Sequence, residues 1–208
     1  MDNCIITISR QCGSGGHTIG KAVAQELSIP FYDQNIMKIV SDRSGLSMDT
    51  ILEKGEYASS SFLYSIVTTG SYHGYDLSGK GSMPVPAQIF AYQTEVIKEL
   101  ADKSSCVIVG RCADYILRNR SNCTHVYISG ALEDRKRRVV KEHGIHPDDA
   151  EEHVLSRDKK RAKHYELFTE RTWGQAKNYT LCLNSSTIGV DECVKLIIEV
   201  AKHNTDKK

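Results

Sequence analysis

Apolar positions along the chain fall into two alternating periods. Residues 4–8, 28–33, 106–109, 125–128 and 179–183 are short runs rich in β-branched and other apolar residues, read as strands. Cys4-Ile5-Ile6-Thr7-Ile8 is apolar throughout, as in a strand covered on both faces. Helical spacing fills the intervals. Ile19, Val23, Ala24 and Leu27 form one stripe, and residues 34–44 form a second helix stopped by Gly45. A short helix opens at Ser47-Met48-Asp49-Thr50. Residues 87–102 carry Ile89, Phe90, Val96, Ile97 and Leu100. Basic helices follow over 132–143 and 148–168, with Pro147 at an early helix position, and residues 190–202 close the fold. The polar tail is expected to fray.

Five strands alternating with helices predict an α/β fold: one parallel sheet covered on both faces, with ligands at the carboxyl ends of the strands. A length of 208 residues suits a single domain, 1–208. Residues 57–86 are the least regular part, rich in Ser, Gly and Tyr, and Ser78-Gly79-Lys80-Gly81-Ser82 reads as a mobile loop. A small insert covering an acceptor is therefore expected at about 45–86, and a helical lid at about 132–168.

Hydrophobic residues make up 40% and charged residues 25%, with a net charge of +1, so no general attraction to nucleic acid or membrane is expected. The start, Met1-Asp2-Asn3-Cys4, lacks a basic region, a long apolar run and a cleavage site, which points to a cytoplasmic protein. No apolar stretch reaches the roughly 18 residues of a spanning helix. The seven cysteines, at 4, 12, 106, 112, 123, 182 and 193, form no CxxC pair, and reduced buried thiols are expected. His143 and His146 have no third ligand nearby and read as surface residues. Trp173 and Tyr179 read as core or adenine-edge packing.

The first strand runs straight into Gln11-Cys12-Gly13-Ser14-Gly15-Gly16-His17-Thr18. A strand, a glycine-rich turn and a helix start make an anion site, because backbone N–H groups converge and the helix end adds partial positive charge. Such a turn can also be purely structural, but its place after the first strand favours phosphate. Gly13, Ser14, Gly15, Gly16, His17 and Thr18 are the expected cradle for donor phosphates, with Thr18 as the Mg²⁺ ligand. The match to GxxxxGK[ST] is incomplete. In one register His17 stands in the lysine position; in the other Gly16 does. The charge that lysine gives the β- and γ-phosphates must come from elsewhere. Arg10, His17 and Lys21 are near in sequence, and an imidazole is a poorer cation at neutral pH than a guanidinium.

The segment Ser9-Arg10-Gln11-Cys12-Gly13-Ser14-Gly15-Gly16-His17-Thr18-Ile19-Gly20 resembles the signature of the cytidylate kinase-like family, which tolerates a P-loop without the standard lysine. Residues 29–33, 107–114 and 178–184 are similar as well. The resemblance implies a P-loop NTPase three-layer sandwich with a five-stranded parallel sheet, helical lid and small insert. It also implies ATP- and Mg²⁺-dependent phosphoryl transfer of the nucleoside-monophosphate kinase type, with CMP or dCMP as acceptor. On that likeness Asp33, Arg111 and Asp114 hold the nucleoside monophosphate. The plain alternatives are a helix cap for Asp33 and a structural ion pair for Arg111.

Arg135-Lys136-Arg137-Arg138 and Arg157-Asp158-Lys159-Lys160-Arg161 flank the turn 144–147 and look like the family's lid. Arg157 and Arg161 lie four apart on one helix face, placed to neutralise a loose phosphoryl transition state. Together with Arg10 and His17 they are the catalytic candidates. Arg135 and Arg138 are weaker ones, and Asp158 is expected to orient an arginine or to assist Mg²⁺ through water. Two other readings stay open: a same-fold kinase for another nucleotide or metabolite, and a nucleotide-binding regulatory protein of low activity.

Overall fold

The computed structural model describes residues 3–55 and 83–206. Most of the expected insert, including the loop at 78–82, lies outside the described residues. Five strands, β1 (Ile5–Arg10), β2 (Phe31–Tyr32), β3 (Cys106–Val109), β4 (Cys123–Ser129) and β5 (Leu181–Asn184), form one parallel sheet in the order β2-β3-β1-β4-β5. Each predicted strand is present, β3 with the expected ends and the other four with shifted ones. β1 runs two residues further than its apolar core, which makes Arg10 its last residue rather than a loop residue. β2 keeps only two paired residues, because Phe31 and Tyr32 alone reach β3.

The helices are α1 (Gly16–Glu26), α2 (Asn35–Ser44), α3 (Met48–Gly55), α4 (Val85–Lys103), α5 (Ala113–Ile116), α6 (Leu132–His143), α7 (Ala150–Thr169), α8 (Ser185–Ile188) and α9 (Val190–Asp206). Strand alternation divides them into two layers. Ile5, Cys106, Ile108 and Cys123 point to the side covered by α2, α3, α4 and α5, where Ile36, Met37, Val40, Ile89 and Ile97 are fully buried. Ile6, Ile8, Val107, Val109, Val126 and Ile128 point to the side of α1 and α9, meeting Ile19, Val23, Val194 and Ile197. A one-residue slip in β1 would exchange these faces, so the register is firmly specified. β1 pairs through Ile5–Ile8 with β3 and through Ile5–Arg10 with β4. It therefore sits where the strand order reverses, the place where an open sheet of this kind binds ligands.

The lid helices carry a small core of their own: Val139 of α6 with Ala150 and Val154 of α7, closed by Cys12 of the glycine-rich loop. At its other end α7 packs Phe168 on Phe90 of α4, ring centroids 4.3 Å apart. The twenty residues of α7 span about 30 Å, so its arginine-bearing middle bridges from the loop side of the sheet to the α4 side.

Of the seven cysteines, five are buried, Cys4 is half-buried and Cys182 exposed; all are free. No helix among the described residues is long and apolar enough to cross a membrane.

His125 of β4 is mostly removed from water, with Nδ1 2.8 Å from Thr7 Oγ1. Burial, aided by the nearby Arg171 charge, lowers its pKa from 6.5 to about 4. Below pH 6.5 the unfolded chain binds a proton at this site that the folded chain accepts only near pH 4. Stability therefore falls as pH drops through that window. His125→Asn keeps an acceptor for Thr7 but does not titrate. The loss of unfolding free energy between pH 6.5 and 4.5, measured by urea denaturation, is expected to be about 2 kcal/mol smaller in the variant. Equal losses in the two proteins would remove His125 as the cause.

Candidate active site

Gly13 and Gly15 adopt φ of 72° and 77°, the left-handed region open to glycine. They fold the loop so that α1 begins at Gly16 with neither a capping side chain nor an acid in its first turn. The N–H groups of that turn have no intrahelical acceptor and aim at the cavity above. The loop is braced from below and from the side. A Cβ on Gly16 would stand 2.5 Å from Arg10 Cβ, and one on Gly13 would stand 2.5 Å from the Arg135 carbonyl oxygen. Ser14 is fully buried; its hydroxyl donates to the Gln11 carbonyl at 2.9 Å, and its own carbonyl accepts from Ser185 Oγ at 2.7 Å. Thr18 is exposed on the first turn of α1 and lines the same cavity.

Asp158 ties the lid to this loop. One carboxylate oxygen accepts from the Cys12 N–H at 2.7 Å; the other accepts from Arg135 Nη1 and Nη2 at 2.9 and 2.8 Å. Burial raises the Asp158 pKa, and the Cys12 N–H and Arg135 oppose that rise. Arg135 itself is only 4% exposed. It is an anchor rather than a phosphate ligand, and Asp158 holds an arginine and a backbone N–H, with both oxygens occupied.

Across the cleft, β3 ends in three successive residues of positive φ: Gly110 (77°), Arg111 (59°) and Cys112 (53°). Two non-glycine residues in this region cost about 1 kcal/mol or more each. The turn is held by buried Gln93, whose Nε2 donates to the Arg111 carbonyl at 2.8 Å. Gly110 suits its φ of 77°, and the Arg10 guanidinium lies where a side chain there would go. Arg10, Arg111, Asp33, His17, Arg157 and Arg161 all line the cleft. His17 Nε2 and Asp33 Oδ2 are 2.9 Å apart, and the imidazole packs edge-on against Phe31 at 5.3 Å. His17 thus turns toward Asp33, and both line the loop-side cavity as well as the cleft. Arg161 Nη1 donates to the Arg10 carbonyl at 3.1 Å.

Asp114 stands behind this wall. It is 3% exposed, and its oxygens accept from Ser9 Oγ at 3.1 Å and from Tyr165 OH at 2.7 Å. Burial raises its pKa, against the lowering effect of those two hydroxyls. The sequence singled out Asp114 with Arg111; the structure brings Arg111 to the cleft surface and puts Asp114 beneath it.

Among further cleft residues, His164 and Tyr165 were not anticipated, and Trp173, read from the sequence as core or adenine-edge packing, also lines the cleft. Tyr165 continues the four-residue spacing of Arg157 and Arg161, a signal present in the sequence. Trp173 is placed there by an edge contact with Tyr127, ring centroids 5.5 Å apart. Arg138 also comes closer to the loop than its spacing implied, donating from Nη1 to the Gly13 carbonyl at 2.7 Å.

The arrangement is a cationic cleft with an uncapped helix start at one end and an Asp–Arg pair at the other. Known proteins agree with that architecture. The model of the cytidylate kinase-like family matches residues 5–187. No curated protein matches. An uncharacterized protein from Eubacterium ventriosum is similar in structure at 24% identity and TM-score 0.71, over 96% of this chain and 99% of that one. Shikimate kinase from Acinetobacter baumannii, in complex with shikimate, is similar at 14% identity and TM-score 0.53, over 98% and 95%. A gluconokinase from Sinorhizobium meliloti is similar at 12% identity and TM-score 0.51, over 98% and 94%. These likenesses establish the P-loop kinase fold.

Proposed function

The chain belongs to the cytidylate kinase-like family, and from that premise we propose that it transfers the γ-phosphoryl group of ATP to a small acceptor, with CMP or dCMP the first choice. The observation that carries this reading is the cleft itself: an uncapped, glycine-cradled helix start facing Asp33 and Arg111 beneath Arg157 and Arg161. Such a site offers one end for a donor polyphosphate and another for an acceptor, with cations between.

The residues fit ATP and Mg²⁺. Gly13–Thr18 present backbone N–H groups without a competing side-chain cap, and the Thr18 hydroxyl opens onto the cavity. Among the described residues no group of three His, Cys, Asp or Glu could cage a metal. Mg²⁺ needs no such cage, since it keeps several waters and is held largely by substrate phosphates. Held at the Thr18 hydroxyl, Mg²⁺ would supply positive charge to the donor phosphates. In this reading residues 13–18 fix the donor, and Asp33 accepts a hydrogen bond from the acceptor. Arg111 grips an anionic group of the acceptor bidentately, and Arg157 and Arg161 neutralise the moving phosphoryl group. Asp114 supports the wall through Ser9 and Tyr165. A kinase acting on another nucleotide or metabolite uses the same parts, and Leu52 of α3 lines the same cleft.

ATP with a panel of nucleoside monophosphates and small hydroxylated metabolites, followed as ADP release, tests the proposal. Turnover with one acceptor is expected, and Asp33→Asn should raise that acceptor's KM about tenfold with little change in ATP affinity. ATP binding without turnover on any acceptor would favour the regulatory reading.

A further inference from the structure

The missing lysine leaves a charge to be supplied at the donor phosphates, and the structure narrows its source. His17 is engaged with Asp33. Lys21 is exposed beyond the loop and does not line the loop-side cavity. Arg10 also lines that cavity, but its guanidinium lies against Gly110 at the end of β3. Arg157 and Arg161 reach the cleft from the middle of α7, between its two packed ends. Arg138 is different. Its Nη1 donates to the Gly13 carbonyl at 2.7 Å, and its Cζ is 3.2 Å from the place a Gly15 Cβ would occupy. Its side chain is 23% exposed, steadied by Glu142 at 3.7 Å from Nε, and it lines the cavity with Gly13, Gly15, Gly16 and Thr18.

Its backbone is equally constrained. One turn earlier on α6, the Arg135 carbonyl abuts Gly13, and the Arg135 guanidinium is locked by Asp158 to the Cys12 N–H. Helix α6 cannot swing away without taking the loop with it. A guanidinium has five donors; Arg138 spends one on the loop and orients another toward Glu142, leaving Nη2 without a protein acceptor among the described residues.

We propose that Arg138 is the standing cation of the phosphate loop, contacting the polyphosphate of a nucleoside di- or triphosphate in place of the absent lysine. The inference rests on the kinase reading and assigns, within it, a ligand-contacting role to a lid-helix residue. The Gly13 carbonyl and Glu142 fix Arg138 beside the loop, which preorganises its charge, and its fork suits phosphate oxygens. Arg157 and Arg161 then serve the transferred group.

Calorimetric titration of the full chain with ATP, AMP and inorganic tripolyphosphate provides the test. Arg138→Gln retains a donor for the Gly13 carbonyl but no charge; Arg138→Lys restores charge without the fork. In Arg138→Gln, affinity for ATP and tripolyphosphate is expected to fall about 10- to 50-fold and that for AMP less than about twofold. The salt dependence of tripolyphosphate binding should flatten, and Arg138→Lys should recover most of the loss. Tripolyphosphate affinity within about threefold of wild type in Arg138→Gln, or equal losses for AMP and ATP, overturns the assignment, the second outcome pointing to a base contact. Wild-type protein that binds neither ATP nor tripolyphosphate instead defeats the kinase reading, and the assignment with it.

Discussion

Alanine at both Arg157 and Arg161 is expected to lower kcat of the proposed transfer about a thousandfold, while ATP affinity changes less than about threefold. The asymmetry follows from when the charge is needed. A ground-state nucleotide is already met by the loop N–H groups and the cations beside them. The transferring group spreads charge over its equatorial oxygens only as it moves, and guanidinium groups fixed above the cleft act at that moment. Arg157 is exposed and borders both ends of the cleft, so its removal leaves the core intact. Arg161 also donates to the Arg10 carbonyl and lies 4.0 Å from Asp158, so its loss loosens the junction of lid and loop. Arg157→Ala alone is the cleaner reporter, with an expected loss of about a hundredfold. Single-turnover rates at saturating ATP measure both; a double variant within threefold of wild type would remove these arginines from the chemistry.

Gly13→Ala should combine the largest stability loss in the loop with the loss of nucleotide binding. Two costs add. Its φ of 72° strains any residue with a side chain, at about 1 kcal/mol. The new Cβ would also stand 2.5 Å from the Arg135 carbonyl oxygen, a backbone atom of a helix pinned through Asp158. The loop or α6 must shift, and the total is expected to reach about 3 kcal/mol. Two comparisons separate the costs. Gly144→Ala has a similar φ of 66° with nothing within 4 Å, so it bears only the strain. Gly15→Ala meets the Arg138 side chain at 3.2 Å, which can yield. Urea denaturation of the three variants, paired with ATP titration, should rank Gly13→Ala lowest in both stability and affinity. Equal stability losses at residues 13 and 144 would show that the predicted clash is relieved without cost.

The parallel sheet, its flanking helices and the glycine-rich loop were legible because each depends on short-range pattern. Apolar runs of strand length, helical stripes and glycines after the first strand are visible within a dozen residues. The five-stranded sheet and the two basic helices matched that reading. Misplaced ends had a local cause: pairing partners, not propensity, decide where a strand stops. β2 ends at Tyr32 because pairing with β3 stops there, and Arg10 extends β1 because β4 continues to pair with it.

Charged side chains were legible as a set and illegible as individuals. Arg135 and Arg138 share one helix face and nearly one environment in the sequence, yet the structure buries Arg135 against Asp158 and lays Arg138 on Gly13. Asp33 and Asp114 both follow strands, yet one opens to the cleft and the other is sealed by Ser9 and Tyr165. The sequence by itself determined the fold class, the loop and the stock of cations, since periodicity and glycine content act locally. Tertiary structure alone decided which of those charges face a ligand. That choice depends on helix docking angles and on partners more than a hundred residues away, and an arginine's long stem lets the same residue serve as anchor or ligand.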